Sequence, residues 1–320
     1  MQLQDRARGM LVGLAVGDAL GAAIEFLPGP SDVYIKDMGD KIAHFYENSR
    51  LPKGVWTDDT EMALCLADSL LACGGYDSYD IMMKFVAWCD YGYRTYDGNP
   101  AVDMGIQTAR AIGDFKTEPV IFENNTTDSA GNGPIMRLAP VVIVGLNSGN
   151  IDSIARMAVL SCRETHNSET AEMVTGIFAR VLYMICQGAS KKEIGEFIDS
   201  KMEIEKDGSR LCNLGGYIVD TFTIALFGFL NFDNFKDGML AVIRLGGDTD
   251  TNGAVYGQLA GAYYGYSNIP SEWREEVYSS SELVEIADKL CEMKKCPVLR
   301  TRFADDENFE ENKNGAANEI

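Results

Sequence analysis

The sequence predicts an all-α protein that folds as a single domain. Apolar residues recur at the three- to four-residue spacing of helices along most of the 320 residues, whereas alternation with a period of two is scarce. Two segments, residues 9–21 and 253–265, also carry a glycine at every fourth position. With 46% hydrophobic residues, the chain has enough apolar side chains to bury one large core.

The individual helices follow from the same periodicity. We expect them near residues 4–25, 57–73, 78–91, 101–113, 133–146, 151–163, 168–187, 211–229, 233–243, 250–265 and 280–293. The connections at 26–55 and 114–133 are long enough to contain a lid or a binding element. Residues 304–320 are acidic and rich in Asn, with few large apolar side chains, which predicts a disordered tail after a domain of residues 1–303.

The two glycine repeats predict a pair of closely packed central helices. Each Gly inside a helix costs about 1 kcal/mol relative to Ala, so a repeated Gly needs a compensating contact. Closely approaching helices provide one, because a row of glycines lets two backbones come together. An accidental spacing is the alternative, and it is harder to accept for two helices than for one.

The composition limits the kinds of partner. The net charge of −20 argues against nucleic acid and anionic membranes, and leaves a small substrate or a protein partner. Eight cysteines without a CxxC pair, beside only two histidines, indicate reduced thiols rather than a zinc site. No apolar run approaches the roughly 18 residues of a membrane span. We expect a cytoplasmic protein, monomeric as the simplest case.

Two short acidic segments resemble each other chemically. Residues 57–60 read Thr-Asp-Asp-Thr and residues 248–251 read Asp-Thr-Asp-Thr, and each leads into a predicted helix. Carboxylate and hydroxyl oxygens are the ligands that Mg²⁺ and Mn²⁺ prefer, and so many carboxylates predict one site for two ions. Helix capping is the simpler reading of residues 57–60. It is weaker for residues 248–251, which have glycines on both sides.

Three single residues are further candidates. Glu25 ends the first predicted helix, where a negative charge is unfavourable unless a metal ion or its bound water lies beside it; a solvated Glu is the alternative. Asp18 is either a buried carboxylate with a structural partner or part of the site. His166 lies at a predicted helix junction and is either structural or functional.

The segment from Gly131 to Arg137 predicts an anion site. Gly131, Asn132 and Gly133 run into a helix whose first turn contains Pro134. Backbone N–H groups at such a helix start can bind a pyrophosphate, with Arg137 nearby. An ordinary loop-to-helix junction explains the same residues.

Several of these segments together resemble a known family, the ADP-ribosylglycohydrolases. The resemblance depends on residues 13–25, 56–60, 131–140, 165–166 and 246–253, and it spans nearly the whole chain. Five motifs in the same order and at matching spacing are a specific signal. The resemblance implies a single-domain orthogonal helical bundle with two Mg²⁺ or Mn²⁺ ions at the bottom of a cleft.

The resemblance also implies roles for individual residues. Glu25 would be a metal ligand or acid–base residue, Asp103 would lie near the scissile bond, and His166 would contact ADP-ribose. Gly131, Asn132, Gly133 and Arg137 would bind the diphosphate, although Pro134 replaces the Ser or Gly common in relatives and removes an N–H. The implied metal ligands are Thr57, Asp58, Asp59, Asp248, Asp250 and Thr251, with Asp58 or Asp59 also a candidate base.

The function implied is metal-assisted hydrolysis of the N-glycosidic bond of ADP-ribosyl-arginine in a protein. The low number of Lys and Arg residues favours a positively charged target. Hydrolysis of O-linked ADP-ribose, on serine or O-acetyl-ADP-ribose, is one alternative. A non-catalytic ADP-ribose-binding or toxin-blocking protein is another, and a metal phosphohydrolase acting on nucleotides is a third.

Overall fold

The computed structural model describes residues 2–22, 24–26, 44–46, 49–101, 103–120, 130–203 and 215–301. Within these ranges the fold consists mainly of helices, which confirms the all-α prediction. The helices are α1 (Leu3–Gly21), α2 (Asp58–Cys73), α3 (Ser78–Tyr91), α4 (Ile106–Thr117), α5 (Gly133–Met136), α6 (Ala139–Gly145), α7 (Ile151–Arg163), α8 (Glu169–Cys186), α9 (Lys191–Asp199), α10 (Ile218–Asn231), α11 (Phe235–Ile243), α12 (Thr249–Tyr264), α13 (Ser271–Glu276) and α14 (Ser280–Glu292).

The strands in the described residues are short and form two separate pairs. Strands β1 (His44–Tyr46) and β2 (Ser49–Arg50) are antiparallel. Strand β3 (Tyr76–Asp77) is parallel to β4 (Val298–Arg300), near the end of the described chain. Tyr76 of β3 is fully buried in the hydrophobic core.

Helices α1 and α12 lie antiparallel at the centre of the molecule, joined along their glycines. The facing positions are Gly9 with Gly261, Gly13 with Gly257, Gly17 with Gly253, and Gly21 with Thr249. A Cβ built on Gly13 would lie 3.0 Å from the carbonyl carbon of Gly257 and closer still to its oxygen. The predicted close packing of two central helices is therefore confirmed. Gly265, included in the predicted repeat, instead ends α12 with a φ of 85°.

The predicted helix at residues 133–146 is two helices, α5 and α6. Pro140 is the cause, because proline has no N–H and its ring clashes with the carbonyl four residues earlier, that of Met136. A buried side chain replaces the missing donor: Gln258 Nε2 donates to the carbonyls of Ile135 and Met136 at 2.9 and 2.7 Å. Because of this break, the chain turns between α5 and α6 beside α12.

Other boundaries also differ from the prediction. Helix α1 ends at Gly21 instead of residue 25, and α4 begins at Ile106, so Asp103 precedes the helix. Helices α9 and α13 were not predicted. The tail at 304–320 and most of the two long connections lie outside the described residues.

Two smaller predictions concern the thiols and the membrane. The seven cysteines among the described residues are free thiols, as predicted. No helix in the described ranges combines the length and apolar character needed to cross a bilayer.

Candidate active site

Ten of the thirteen predicted site residues converge on one cleft with a volume of about 490 Å³. Its walls come from the turn after α1, the start of α2, the segment before α4, the start of α5 and the start of α12. The predicted residues that line it are Glu25, Asp58, Asp103, Gly131, Asn132, Gly133, His166, Asp248, Asp250 and Thr251. The two acidic segments, nearly 200 residues apart in sequence, thus meet in one place.

Asp18 fixes the start of α2. Its Oδ1 accepts hydrogen bonds from the backbone N–H and the hydroxyl of Thr57 at 2.9 and 2.8 Å. Its Oδ2 accepts the same two kinds of bond from Thr60 at 3.0 and 2.6 Å. A carboxylate from α1 therefore caps α2 in place of a local side chain, and it orients the intervening Asp58 and Asp59. Burial raises the pKa of Asp18 to about 6, while these hydrogen bonds lower it.

The second acidic segment is held by its neighbours. Gly246 and Gly247 have φ values of 79° and 77°, a conformation that favours glycine and turns the chain into α12. The hydroxyl of Thr249 donates to the Gly21 carbonyl at 2.7 Å, which ties this turn to the end of α1. Asp250 Oδ1 accepts the N–H of Thr251 at 2.8 Å.

Asn132 connects the predicted anion loop to this acidic segment. Its Nδ2 donates to Asp248 Oδ2 at 2.8 Å and to the hydroxyl of Thr221 at 3.0 Å. Its backbone N–H donates to the Gly216 carbonyl at 2.9 Å. Both donors of Asn132 therefore position protein groups, and neither is left for the predicted diphosphate contact.

A tight carboxylate group lies in the cleft. Glu25, Asp103 and Asp250 each offer one oxygen, and these three oxygens lie within 4.8 Å of one another. Burial, with the charges of Asp103 and Asp248, raises the pKa of Glu25 to about 8. Burial and the charge of Asp248 raise the pKa of Asp103 to about 6. Raised carboxyl pKa values are expected where several negative charges are held close together without a cation between them.

The first acidic segment provides a more direct indication of a cation. Asp59 is fully buried, and neither of its carboxylate oxygens has a hydrogen-bond partner within the described part of the chain. Burial, and then the charges of Asp18 and Asp248, raise its pKa well above the usual value. A buried carboxylate without a partner is costly, and a hard divalent cation would supply both the charge and the coordination. The residues present therefore fit a Mg²⁺ or Mn²⁺ site.

His166 closes the cleft on the side of residues 131–133. Its side chain is buried, and its Nδ1 lies 2.8 Å from the hydroxyl of Thr165. A Cβ on Gly131 would lie 2.9 Å from its Nε2, and a Cβ on Gly133 would lie 2.8 Å from its Cε1. Both glycines thus leave room for the imidazole ring. Burial, and then the charge of Arg137, lower the pKa of His166 to about 3, so the ring is neutral.

Arg137 does not lie in the cleft. Its guanidinium group is fully buried, 4.9 Å from the centre of the Phe85 ring, and donates to the Thr165 hydroxyl at 2.7 Å. We therefore remove Arg137 from the predicted substrate-binding set, because the core encloses the group that was expected to reach a phosphate. Thr57 is also buried; its hydroxyl donates to Asp18 but retains acceptor capacity.

The cleft contains residues that the sequence analysis did not single out. Phe26 lines it with 63% of its surface exposed and a φ of 49°, and its N–H donates to the Gly247 carbonyl at 2.8 Å. Gly216 lines it as well, and the Gly215–Gly216 pair was a readable signal of a close backbone approach. Nothing in the sequence identified Phe26 except its place beside Glu25.

Comparisons with known proteins place this geometry in a family. The model of the ADP-ribosylglycohydrolase family matches residues 1–297. The chain is 35% identical to an ADP-ribosylarginine hydrolase Tri1 of Pseudomonas putida, over 90% of this chain and 78% of that protein. It is 31% identical to an ADP-ribosyl-[dinitrogen reductase] glycohydrolase of Rhodospirillum rubrum, over 85% of this chain and 90% of that protein.

A solved structure agrees with the fold. A chain described as an ADP-ribosylglycohydrolase-related protein complex superposes with a TM-score of 0.76 and 34% sequence identity. The match covers 92% of this chain and 99% of the other. The protein therefore belongs to the ADP-ribosylglycohydrolase family.

Proposed function

We propose that this chain is a divalent-metal-dependent hydrolase that removes ADP-ribose from modified arginine in proteins. The observation that carries the proposal is the convergence of five carboxylates on one cleft, those of Glu25, Asp58, Asp103, Asp248 and Asp250. The volume of about 490 Å³ is in the range of pockets that hold small ligands.

The proposed metal centre contains two Mg²⁺ or Mn²⁺ ions. Bound ions would supply positive charge that stabilises the oxygen atoms bound to them. They would also lower the pKa of a bound water molecule. The partnerless oxygens of Asp59 and the acceptor capacity of the Thr57 hydroxyl support this assignment. The residues that would hold the ions are Thr57, Asp58, Asp59, Asp248, Asp250 and Thr251.

Glu25 is the proposed proton acceptor. Its carboxyl lies in the cleft beside Asp103 and Asp250. A carboxylate in this position can take a proton from the attacking water and return one to the leaving group. Asp58 or Asp59 remains the alternative base.

The charge of the cleft supports arginine as the modified residue. No Lys or Arg is among the described residues that line it, whereas five carboxylates are. A guanidinium leaving group would be attracted to such a surface, and Asp103, which lines the cleft, is the residue that we assign to face it. The two relatives named as ADP-ribosylarginine hydrolases, 35% and 32% identical, agree with this choice.

The diphosphate would be held without a cationic side chain. His166, with the backbone beside Gly131 and Gly133, offers the polar contacts on that wall of the cleft. The contribution of Asn132 is indirect, because its side chain positions Asp248.

A comparison of substrates tests the function. We expect steady-state release of ADP-ribose from ADP-ribosyl-arginine protein in the presence of Mg²⁺ or Mn²⁺, and slower release from ADP-ribosyl-serine and O-acetyl-ADP-ribose. Faster release from either O-linked substrate would reassign the linkage. Absence of release from all three, with retained ADP-ribose binding, would favour a non-catalytic binding protein. Cleavage of the diphosphate in the product would indicate a phosphohydrolase.

A further inference from the structure

A buried chain of three side chains leads from the core to the cleft. Arg137 Nη2 donates to the Thr165 hydroxyl oxygen at 2.7 Å, and this oxygen lies 2.8 Å from His166 Nδ1. All three residues are at least 97% buried, because their exposed fractions are 0%, 2% and 3%. Water therefore does not compete for these bonds.

The direction of each bond in this chain can be deduced. A guanidinium group only donates, so the Thr165 oxygen is the acceptor from Arg137. The Thr165 hydroxyl proton then needs an acceptor, and its other hydrogen-bond partner in the described structure is His166 Nδ1. If the oxygen also accepted from an Nδ1–H group, this buried hydroxyl proton would have no acceptor in the described structure, so the favoured arrangement has Thr165 donating to an unprotonated Nδ1. In a neutral imidazole, the proton is then on Nε2.

The Nε2 edge of the ring lies against Gly131, which lines the cleft together with His166. A Cβ of Gly131 would lie 2.9 Å from Nε2, so the absence of a side chain there leaves this edge uncovered. From this position we expect the Nε2–H group to reach an acceptor oxygen of a ligand bound beside Gly131.

We propose that Thr165, oriented by Arg137, is a positioning residue that holds His166 as the Nε2–H tautomer, so that the cleft presents a neutral hydrogen-bond donor to an oxygen of ADP-ribose. The identity of the ligand rests on the proposed function, whereas the tautomer does not. A ring with the proton on Nδ1 would present a lone pair to the negatively charged diphosphate. A ring with the proton on Nε2 presents a neutral hydrogen-bond donor instead.

The burial of His166 supports the neutral form. The ring is nearly removed from solvent, and the guanidinium of Arg137 lies one residue further along the hydrogen-bonded chain. Both factors lower the pKa of His166, to about 3. A protonated ring could not accept the Thr165 hydrogen bond.

Nitrogen NMR of the whole protein tests the tautomer directly. The sequence has two histidines, His44 and His166, so a sample labelled with ¹⁵N-histidine gives two ring spin systems. The spectrum of His166→Gln assigns them. We expect His166 to show the Nε2–H pattern in the wild-type protein near pH 7. An Nδ1–H pattern or a protonated ring in the wild type would overturn the proposal, whatever the activity of the enzyme.

Two variants of Thr165 test the role of the hydroxyl. Thr165→Val keeps the shape and removes the hydroxyl, and Thr165→Ser restores it. We expect the Val variant to lose the pure Nε2–H pattern and to bind ADP-ribose about three- to tenfold more weakly, the effect of about one hydrogen bond. The Ser variant should match the wild type in both. An unchanged tautomer in Thr165→Val would show that Thr165 does not set it.

The same samples separate this proposal from the proposed function. Calorimetric binding of ADP-ribose with Mg²⁺ present measures the ligand contact without relying on turnover. Binding that is equally tight in wild type and Thr165→Val, despite a changed tautomer, would refute the donor role. A wild-type protein that binds but does not hydrolyse would refute the enzymatic function and leave the tautomer result intact. If Thr165→Val does not fold, the wild-type and Thr165→Ser spectra still decide the tautomer.

Discussion

The contact between α1 and α12 leads to a quantitative prediction for Gly13→Ala. A methyl group at this position would lie 3.0 Å from the carbonyl carbon of Gly257 and closer to its oxygen, and 3.3 Å from a ring carbon of Phe235. The first two atoms belong to a helical backbone that is itself packed on all sides. The methyl group can therefore be accommodated only if the two helices move apart.

Two opposing terms set the size of the effect. Alanine is favoured over glycine inside a helix by about 1 kcal/mol. Overpacking of a well-packed interior typically costs up to about 3 kcal/mol, and backbone atoms on both sides place this position at the upper end. We therefore expect a net loss of about 2 kcal/mol in the free energy of unfolding.

Urea denaturation, followed by circular dichroism, measures this loss. Gly113→Ala is the matched control, because Gly113 is an exposed residue inside α4 and a Cβ there would meet no atom within 4 Å. The control should gain up to about 1 kcal/mol from helix propensity alone. If Gly13→Ala were as stable as the wild type, the close contact would not have the role that we assign to it.

Three other predictions concern the cleft. Asp18→Asn should weaken Mn²⁺ binding about 10- to 100-fold in calorimetry, since it replaces one of the two acceptor oxygens that orient the ligands at the start of α2 with an NH₂ donor; unchanged affinity would refute this role. Asp59→Asn should stabilise the metal-free protein by removing a partnerless buried charge, yet abolish the rise in melting temperature on adding Mn²⁺; a wild-type rise in this variant would exclude Asp59 as a ligand. The third concerns pH. Burial lowers the pKa of His166 from 6.5 to about 3, so below pH 6.5 the unfolded chain binds a proton there that the folded protein does not. The contribution of His166 to the free energy of unfolding is therefore independent of pH above 6.5. It falls by about 1.4 kcal/mol per pH unit as the pH drops toward 3. His166→Gln should lack this component when unfolding free energies are compared between pH 6 and 4, and equal slopes would contradict it.

The features that could be predicted from the sequence were those with a periodic or chemical signature. The glycine spacing predicted the central helix pair, because a four-residue repeat in two helices requires a compensating contact. The paired Asp and Thr segments predicted a common acidic site, since hard cations prefer those oxygens. Both signals are local in sequence, and their physical reason is independent of the remaining fold.

Other features depended on tertiary contacts. The removal of Arg137 from the cleft depends on Phe85 and Thr165, which approach it only in the folded chain. Asp18 capping the start of α2 is likewise a contact between distant segments. Two misses were avoidable: Pro140 marked the break between α5 and α6, and the capping box of Ser190 and Glu193 marked the start of α9.

The antiparallel seam of α1 and α12 also has a consequence for synthesis on the ribosome. Helix α1 is made well before its partner, which is complete only at Tyr264, roughly 240 residues later. At ordinary translation rates this delay is about 12 to 50 s, during which the glycine face of this largely apolar helix lacks its native partner. The glycine face of α1 therefore has to be protected from other contacts until α12 is made. The acidic cleft can assemble only after α12 has emerged from the ribosome.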